Sequence, residues 1–265
     1  MSEITSAQNP KLKQVLKLRE RRERKKTNLF LIEGYRELKR AQEGKRKLET
    51  LFYCPELFLK DNEPALLEKS GARLCRLPKH LFEKISYRDR PDGLLAIAEQ
   101  QHLSLDHLKL SDCPFLVIAE GIEKPGNLGT ILRSCDAAGV DALIVTDPCT
   151  DLHNPNVVRA SIGTLFTVPV FEASKDEVLS FLQEKNIPML ATTPSAEREY
   201  TEVGLKSPVA LLMGCEQYGL SSDFLTKAQH KVHIPMMGYA DSLNVATATT
   251  LMLYEVLRQR KRPIS

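Results

Sequence analysis

The residue types that could do chemistry in this chain gather in three short stretches, each rich in glycine and small polar side chains. The first, Glu120 to Arg133, sets Asn127, Gly129 and Arg133 in the pattern N-x-G-x-x-x-R. Asn127 can cap a helix with its side-chain oxygen, and Gly129 permits another backbone to approach closely. Their separation puts Asn127 and Arg133 nearly two helical turns apart and off a common face. An Asn127 lying ahead of the helix could still fold back over a site. The stretch contains neither G-x-G-x-x-G nor G-K-[ST], which argues against a dinucleotide fold or a P-loop.

The second stretch, Leu211 to Ser221, is a hydrophobic strand that stops at Gly214, followed by a turn bracketed by Gly214 and Gly219. The backbone of such a turn can line a small-molecule pocket, so Gly214→Val is expected to block it sterically. Glu216 is an acid within the turn, able to accept hydrogen bonds from amides or to neutralise a neighbouring cation. Ser221 is placed to cap the next helix. In the third stretch, Val232 to Ala246, Ile234 and Met236 are apolar and could sandwich an aromatic ring. Asp241, Ser242 and Asn244 cluster where the last helix begins. One of them suffices as an N-cap; three exceed that need. Taken singly, each stretch is also an ordinary capped turn.

All three follow predicted strands, and in an open α/β sheet ligands bind at the carboxyl ends of strands. Apolar runs at Pro114–Ala119, Ala142–Thr146, Thr167–Phe171, Met189–Thr193 and Val209–Met213 read as buried strands. Helices are expected at Leu128–Ala138, Asn154–Leu165, Lys175–Lys185 and Asn244–Arg260, giving a parallel sheet covered on both faces. The first hundred residues also alternate. Strands are expected at Leu29–Ile32, Leu48–Tyr53, Ala72–Leu77 and Gly93–Ala98, with helices after Asn9-Pro10 and at Tyr35–Gln42, Pro64–Lys69 and Pro78–Ile85. Periodicity fades over Gln100–Asp112, so two domains are expected, residues 1–105 and 113–265.

Composition narrows the function classes. The chain has 265 residues, 42% hydrophobic and 27% charged, the profile of a globular protein that folds without staples. No apolar run approaches the roughly 20 residues of a membrane helix, and the amino terminus lacks a signal-peptide core, so a cytoplasmic location is expected. The cysteines form no C-x-x-C, and His230 and His233 have no third ligand in a metal spacing, so no metal is expected. The net charge is only +3, but it is uneven. Lys11, Lys13, Lys17, Arg19, Arg21, Arg22, Arg24, Lys25 and Lys26 face only Glu20 and Glu23; Lys45-Arg46-Lys47 and the carboxyl-terminal R-Q-R-K-R add to them. Such clusters attract polyanions, RNA among them.

In order and spacing together, N-x-G-x-x-x-R, then G-x-E-x-x-G-L-S, then I-P-M with S-L-N-V resembles the three signature motifs of the SpoU (TrmH-like) family of SPOUT RNA 2′-O-ribose methyltransferases. The likeness covers roughly residues 114–260. I-T-S-A-Q-N-P-K-L-K near the start, F-L-I-E-G-Y-R at 30–36 and P-D-G-L-L-A-I at 91–97 are similar to that family's substrate-binding domain, a ribosomal-protein-like α/β unit that binds RNA. The resemblance implies a carboxyl-terminal α/β SPOUT domain with a parallel sheet and a trefoil knot, a homodimer, and S-adenosyl-L-methionine (SAM) as cofactor. It puts Gly214, Ile234 and Leu243 against SAM, with Met236 and Thr193 nearby. Asn127, Arg133, Glu216, Ser242 and Asn244 fall on the catalytic or RNA-positioning positions. Gln217-Tyr218 departs from the family's usual small-and-acidic pair, which bears on substrate fit. The implied reaction is ribose methylation of RNA, with 23S ribosomal RNA the first expectation. Transfer RNA, a ring nitrogen as acceptor, and a non-catalytic assembly factor are the alternatives.

Overall fold

Leu29–Glu33 (β2), Leu48–Tyr53 (β3) and Leu94–Glu99 (β5) are almost wholly apolar runs, and strands of that kind must be covered on both faces. In the computed structural model, which describes residues 2–260, they form the middle and one edge of a five-stranded mixed sheet. Ser2–Glu3 (β1) and Arg73–Arg76 (β4) complete it in the order β1-β4-β3-β5-β2. β5 is antiparallel to both β2 and β3, and the register slips once between Leu48 and Thr50. The helices of this unit are α1 (Pro10–Lys17), α2 (Arg21–Thr27), α3 (Tyr35–Glu43), α4 (Glu63–Glu68) and α5 (Lys79–Ile85). Leu12, Val15 and Leu18 fill the thin apolar stripe of the first helix and pack with Phe52, Phe82 and Ile97 in one core.

The second unit runs β6 (Phe115–Glu120), α6 (Pro125–Ala138), β7 (Ala142–Thr146) and then, after an excursion, β8 (Val170–Ala173). The excursion carries α7 (Pro155–Ala160). After β8 come α8 (Lys175–Glu184), β9 (Met189–Thr192), β10 (Arg198–Glu199), β11 (Val209–Met213), α9 (Ser222–Lys227), β12 (His230–His233) and α10 (Val245–Arg260). Its seven-stranded sheet has the order β10-β12-β9-β11-β6-β7-β8, and every pairing is parallel. All carboxyl ends therefore lie on one edge. Among the described residues no helix is long and apolar enough to cross a membrane.

The domain division expected from sequence needs one correction. The first unit ends at Gln101, but Asp151–Thr167, expected in the second domain, belongs to it. Arg24 explains why. This side chain is almost fully buried, and its Nε and Nη2 atoms lie 2.8 and 2.7 Å from Asp151 Oδ2. Its Nη1 donates to the carbonyls of Leu18 and Arg19. Phe30 meets the His153 ring at 4.6 Å, and Arg40 donates to the Ile162 carbonyl. The helix expected over Asn154–Leu165 stops at Ala160, because Ile162 and Gly163 turn left-handed (φ 49° and 86°). A Cβ at Gly163 would lie 3.0 Å from the Glu37 Cα of α3, so this close turn requires glycine.

The basic run is likewise only partly free for RNA. Arg24 is spent on Asp151, and Arg19 donates to the Ile85 and Ser86 carbonyls while lying over the Tyr87 ring. Arg258 pairs with Glu255, and Arg260 donates to the carbonyls of Cys113, Leu205 and Ser207. Lys261 and Arg262 lie outside the described residues. Asp151→Ala strands a buried arginine, and a buried pair broken in that way costs about 3–5 kcal/mol. Chemical denaturation should show that loss; a midpoint unchanged from the parent would refute the anchoring role.

Candidate active site

β6, β9, β11 and β12 end at Glu120, Thr192, Met213 and His233, on the same edge of the sheet. Beyond them the chain makes a cavity of about 990 Å³, lined by residues from 192–195, 213–220, 233–236 and 241–245. Thr193, Gly214, Ile234, Met236, Leu243, Glu216, Ser242 and Asn244 are all in that lining. The turn after β11 is tight. Gly219 donates its N–H to the Cys215 carbonyl at 3.0 Å, and buried Glu120 accepts the Ser221 N–H at 2.7 Å. Ser221 occupies the N-cap of α9 as expected, but its hydroxyl makes no capping bond.

Asn127 reaches the cavity differently from the expectation. α6 begins at Pro125, so Lys124 is the N-cap residue and Asn127 sits inside the first turn. Proline at the first helical position is pre-set for it and has no N–H to satisfy. The Asn127 side chain, not required as a cap, donates to Glu216 Oε1 at 2.9 Å. Asn244 Nδ2 donates to the same oxygen at 2.7 Å and lies 3.1 Å from Asn127 Oδ1. The Asn244 oxygen meanwhile accepts the Ala246 N–H, so it is the cap of α10 among the three candidates. Among the described residues, the Ser242 hydroxyl bonds only to its neighbour Asp241.

Lys124, which motif reading passed over, completes the cluster with Nζ 2.6 Å from Glu216 Oε2. The Pro125 start signal could have located it, since it fixes the preceding residue at the same helix end as Asn127. The Lys124 hydrogen bond and charge, with the Asn127 amide, hold the Glu216 carboxyl below the usual carboxylate range despite some desolvation. The same contact raises the Lys124 ammonium. Two further polar atoms in lining residues, Thr192 Oγ1 and His233 Nδ1, are buried without a hydrogen-bond partner among the described residues.

Arg133 does not line the cavity. It is exposed on α6 and has no hydrogen bond or ion pair among the described residues. The structure thus brings nine of the ten expected residues to one place, if Asn127 is counted through its bonds to Glu216 and Asn244.

Gly214 also differs from expectation. A Cβ there would meet the backbone of Gly219 at 2.2 Å and of Leu220 at 2.3 Å. Gly214→Val should therefore spring the turn open instead of plugging an intact cavity, costing at least the roughly 1–3 kcal/mol of an overpacked site. A melting curve identical to that of the parent would contradict this. Because the Glu216 carboxyl is depressed in the folded protein, its contribution is present above the ordinary carboxylate value and is lost as pH falls through the lowered one. In Lys124→Ala the carboxyl should titrate higher than in the parent, as read by carbon-13 NMR. An unmoved titration would show that Lys124 does not hold it.

Residues 114–254 match the model of the SpoU rRNA Methylase family, and residues 9–96 match an MRM3-like substrate binding domain. A 23S rRNA (guanosine(2553)-2′-O)-methyltransferase, RlmP of Bacillus subtilis, is 30% identical over 97% of this chain and 99% of its own. A crystal structure of an RNA 2′-O ribose methyltransferase is 41% identical, with a TM-score of 0.86 over 98% of this chain and 100% of that one. An AdoMet-bound rRNA methyltransferase from Sinorhizobium meliloti superposes with a TM-score of 0.89 at 32% identity, over 97% of each chain. With a strand-edge cavity lined by the second and third motifs, Asn127 of the first bonded to Glu216 and Asn244 in that lining, and likeness over nearly the whole chain, the protein belongs to the SpoU rRNA methylase family.

Proposed function

We propose that this chain transfers the methyl group of SAM to a ribose 2′-oxygen of 23S ribosomal RNA, in the cytoplasm and as a homodimer. The observation that carries the reading is the meeting of Asn127, Glu216 and Asn244 at a cavity whose remaining walls suit a nucleoside. Ile234, Met236 and Leu243 offer apolar faces for an adenine ring, and the unpartnered Thr192 hydroxyl and His233 nitrogen await polar ones. Bound SAM supplies an electrophilic methyl on a positively charged sulfur. The protein must hold the ribose hydroxyl in line with it, and alignment of this kind can supply about 7–11 kcal/mol in the best cases.

Glu216 is a poor proton acceptor. Its carboxylate already receives two amides and an ammonium, and its basicity is lowered accordingly. Its role is to fix Asn127 and Asn244, whose amides in turn orient the ribose together with the Ser242 hydroxyl. Arg133 carries a cationic guanidinium whose planar fork of donors suits the phosphate beside the target ribose. The proton then passes to a phosphate oxygen or to water. Support for the 23S substrate comes from the full-length correspondence with RlmP, which includes the substrate-binding unit. Support for the dimer is narrower. α10 lies along α6 through the Ser134–Thr250 hydrogen bond and leaves Leu251 and Tyr254 partly exposed.

Unmodified 23S rRNA incubated with labelled SAM should yield alkali-resistant dinucleotides carrying the label. Label confined to a base would move the reaction to a ring nitrogen, and no heat on mixing with SAM would leave an assembly factor. Arg133→Ala should slow transfer on the order of a hundredfold or more while SAM titrates normally. Equal loss of both would remove the phosphate-holding role. Light scattering should give the mass of two chains, and a monomer at working concentration would end the dimer reading.

A further inference from the structure

The first unit has a cleft of its own, about 840 Å³, which the chemistry above does not use. It opens among the β2–α3 turn, the start of α4, the turn before β5 and the α7 segment. Its floor is an ion pair between half-buried Arg88 and buried Glu37. Arg88 Nη2 lies 2.6 Å from Glu37 Oε1 and donates to the Glu33 carbonyl at 2.8 Å. Gly34, at φ +109°, makes room for that pair, since a Cβ there would meet Glu37 Oε2 at 2.5 Å and Arg88 Nη2 at 2.6 Å.

Around this floor stand Arg36, Lys60, Arg90 and Arg159. All four are exposed, and none makes a side-chain hydrogen bond or ion pair among the described residues. Two carboxylates in the walls are only half used. Asp92 accepts the Tyr35 N–H through Oδ2, and Glu63 accepts the Leu59 and Lys60 N–H groups through Oε1. Asp92 Oδ1 and Glu63 Oε2 are buried with no donor among the described residues, on residues only 7% and 1% exposed. Leu59, in contrast, is 75% exposed beside them, with half-buried Tyr35 also in the lining.

A patch that merely attracted the backbone of a duplex would need neither a cavity nor acceptors, and carboxylates would oppose it. Cations at a rim, spare acceptors within and an exposed apolar side chain together match a nucleoside with its phosphates. The phosphates need the cations, the ribose hydroxyls or base N–H groups need the acceptors, and the base face needs an apolar wall. The volume lies within the roughly 300–1,000 Å³ typical of ligand pockets. Sequence-specific RNA recognition acts on unpaired nucleotides of this kind, because the A-form major groove is closed to side chains. Resting on the assignment of RNA as substrate, we propose that this cleft is a subsite for one unpaired nucleotide of that RNA. Arg36, Lys60, Arg90 and Arg159 hold its flanking phosphates, and Asp92 and Glu63 accept from its sugar or base.

Filter binding of the full chain to transcribed 23S rRNA, across a range of salt, tests this. Arg36→Ala/Arg159→Ala should weaken binding about tenfold and flatten the log–log salt slope by about 1.4, two phosphates' worth for unpaired RNA. Arg36→Lys/Arg159→Lys should keep the slope. Leu59→Ala should weaken the transcript several-fold and leave a fully paired RNA hairpin unaffected. SAM titration and a melting curve verify that each variant is folded. Unchanged affinity and slope in the alanine pair would overturn the subsite, as would equal losses on the paired hairpin. Those failures leave the methyltransferase reading standing if the parent protein still binds and methylates the transcript. A parent that neither binds nor methylates it removes both.

Discussion

One carboxylate holds the catalytic edge together. Glu216 leaves the turn after β11 and receives, on its two oxygens, an amide from α6, an amide from the cap of α10 and an ammonium from the residue before α6. Three segments far apart in the chain thus share a single acceptor. Each contact is partly exposed, so each alone is worth little in water. Their value lies in geometry. Asn127 and Asn244 each have one side-chain nitrogen committed to Glu216, which fixes which way their oxygens face. Glu120 does the same work one layer deeper, tying the end of β6 to the Ser221 amide.

The parallel sheet makes that convergence possible. Because all seven strands run the same way, the turns after β6, β9, β11 and β12 emerge on one edge. Continuous burial of Phe115–Glu120, Ala142–Thr146 and Val209–Met213 leaves those turns as the polar part of the unit. The substrate-binding unit is built on another plan, with a mixed sheet whose loops carry cations around half-used acids. The proposed chemistry thus rests on the first plan and the proposed recognition of a polyanion on the second.

Much of this was legible in the residues. Apolar runs located most strands to within a residue or two, and glycine with short polar side chains marked the turns that form the cavity. What failed did so where a long-range contact overrode a local signal. Asn154–Leu165 reads as one helix, yet it ends at Ala160 and the chain turns left-handed at Ile162 and Gly163 where it packs against α3. Asn127 looks like a cap because asparagine usually is one, but Pro125 begins the helix earlier and releases its side chain. Arg24 sits in a run that reads as RNA-facing, and only its distant partner Asp151 shows that it points inward. Lys124 carried no motif at all; its role depends on a residue ninety-two positions away.

The return of Asp151–Thr167 to the first unit bears on how the protein is made. The substrate-binding unit is not complete when residue 101 leaves the ribosome, because the counter-ion of Arg24 and the Gly163 turn against α3 are still to come. Until then a buried guanidinium has no carboxylate to meet. Asp151 and Gly163 follow β6, α6 and β7 in the chain, so these two contacts can form only after those elements have been made. Each unit is therefore built from two separate stretches of the chain, and neither corresponds to one uninterrupted stretch of gene.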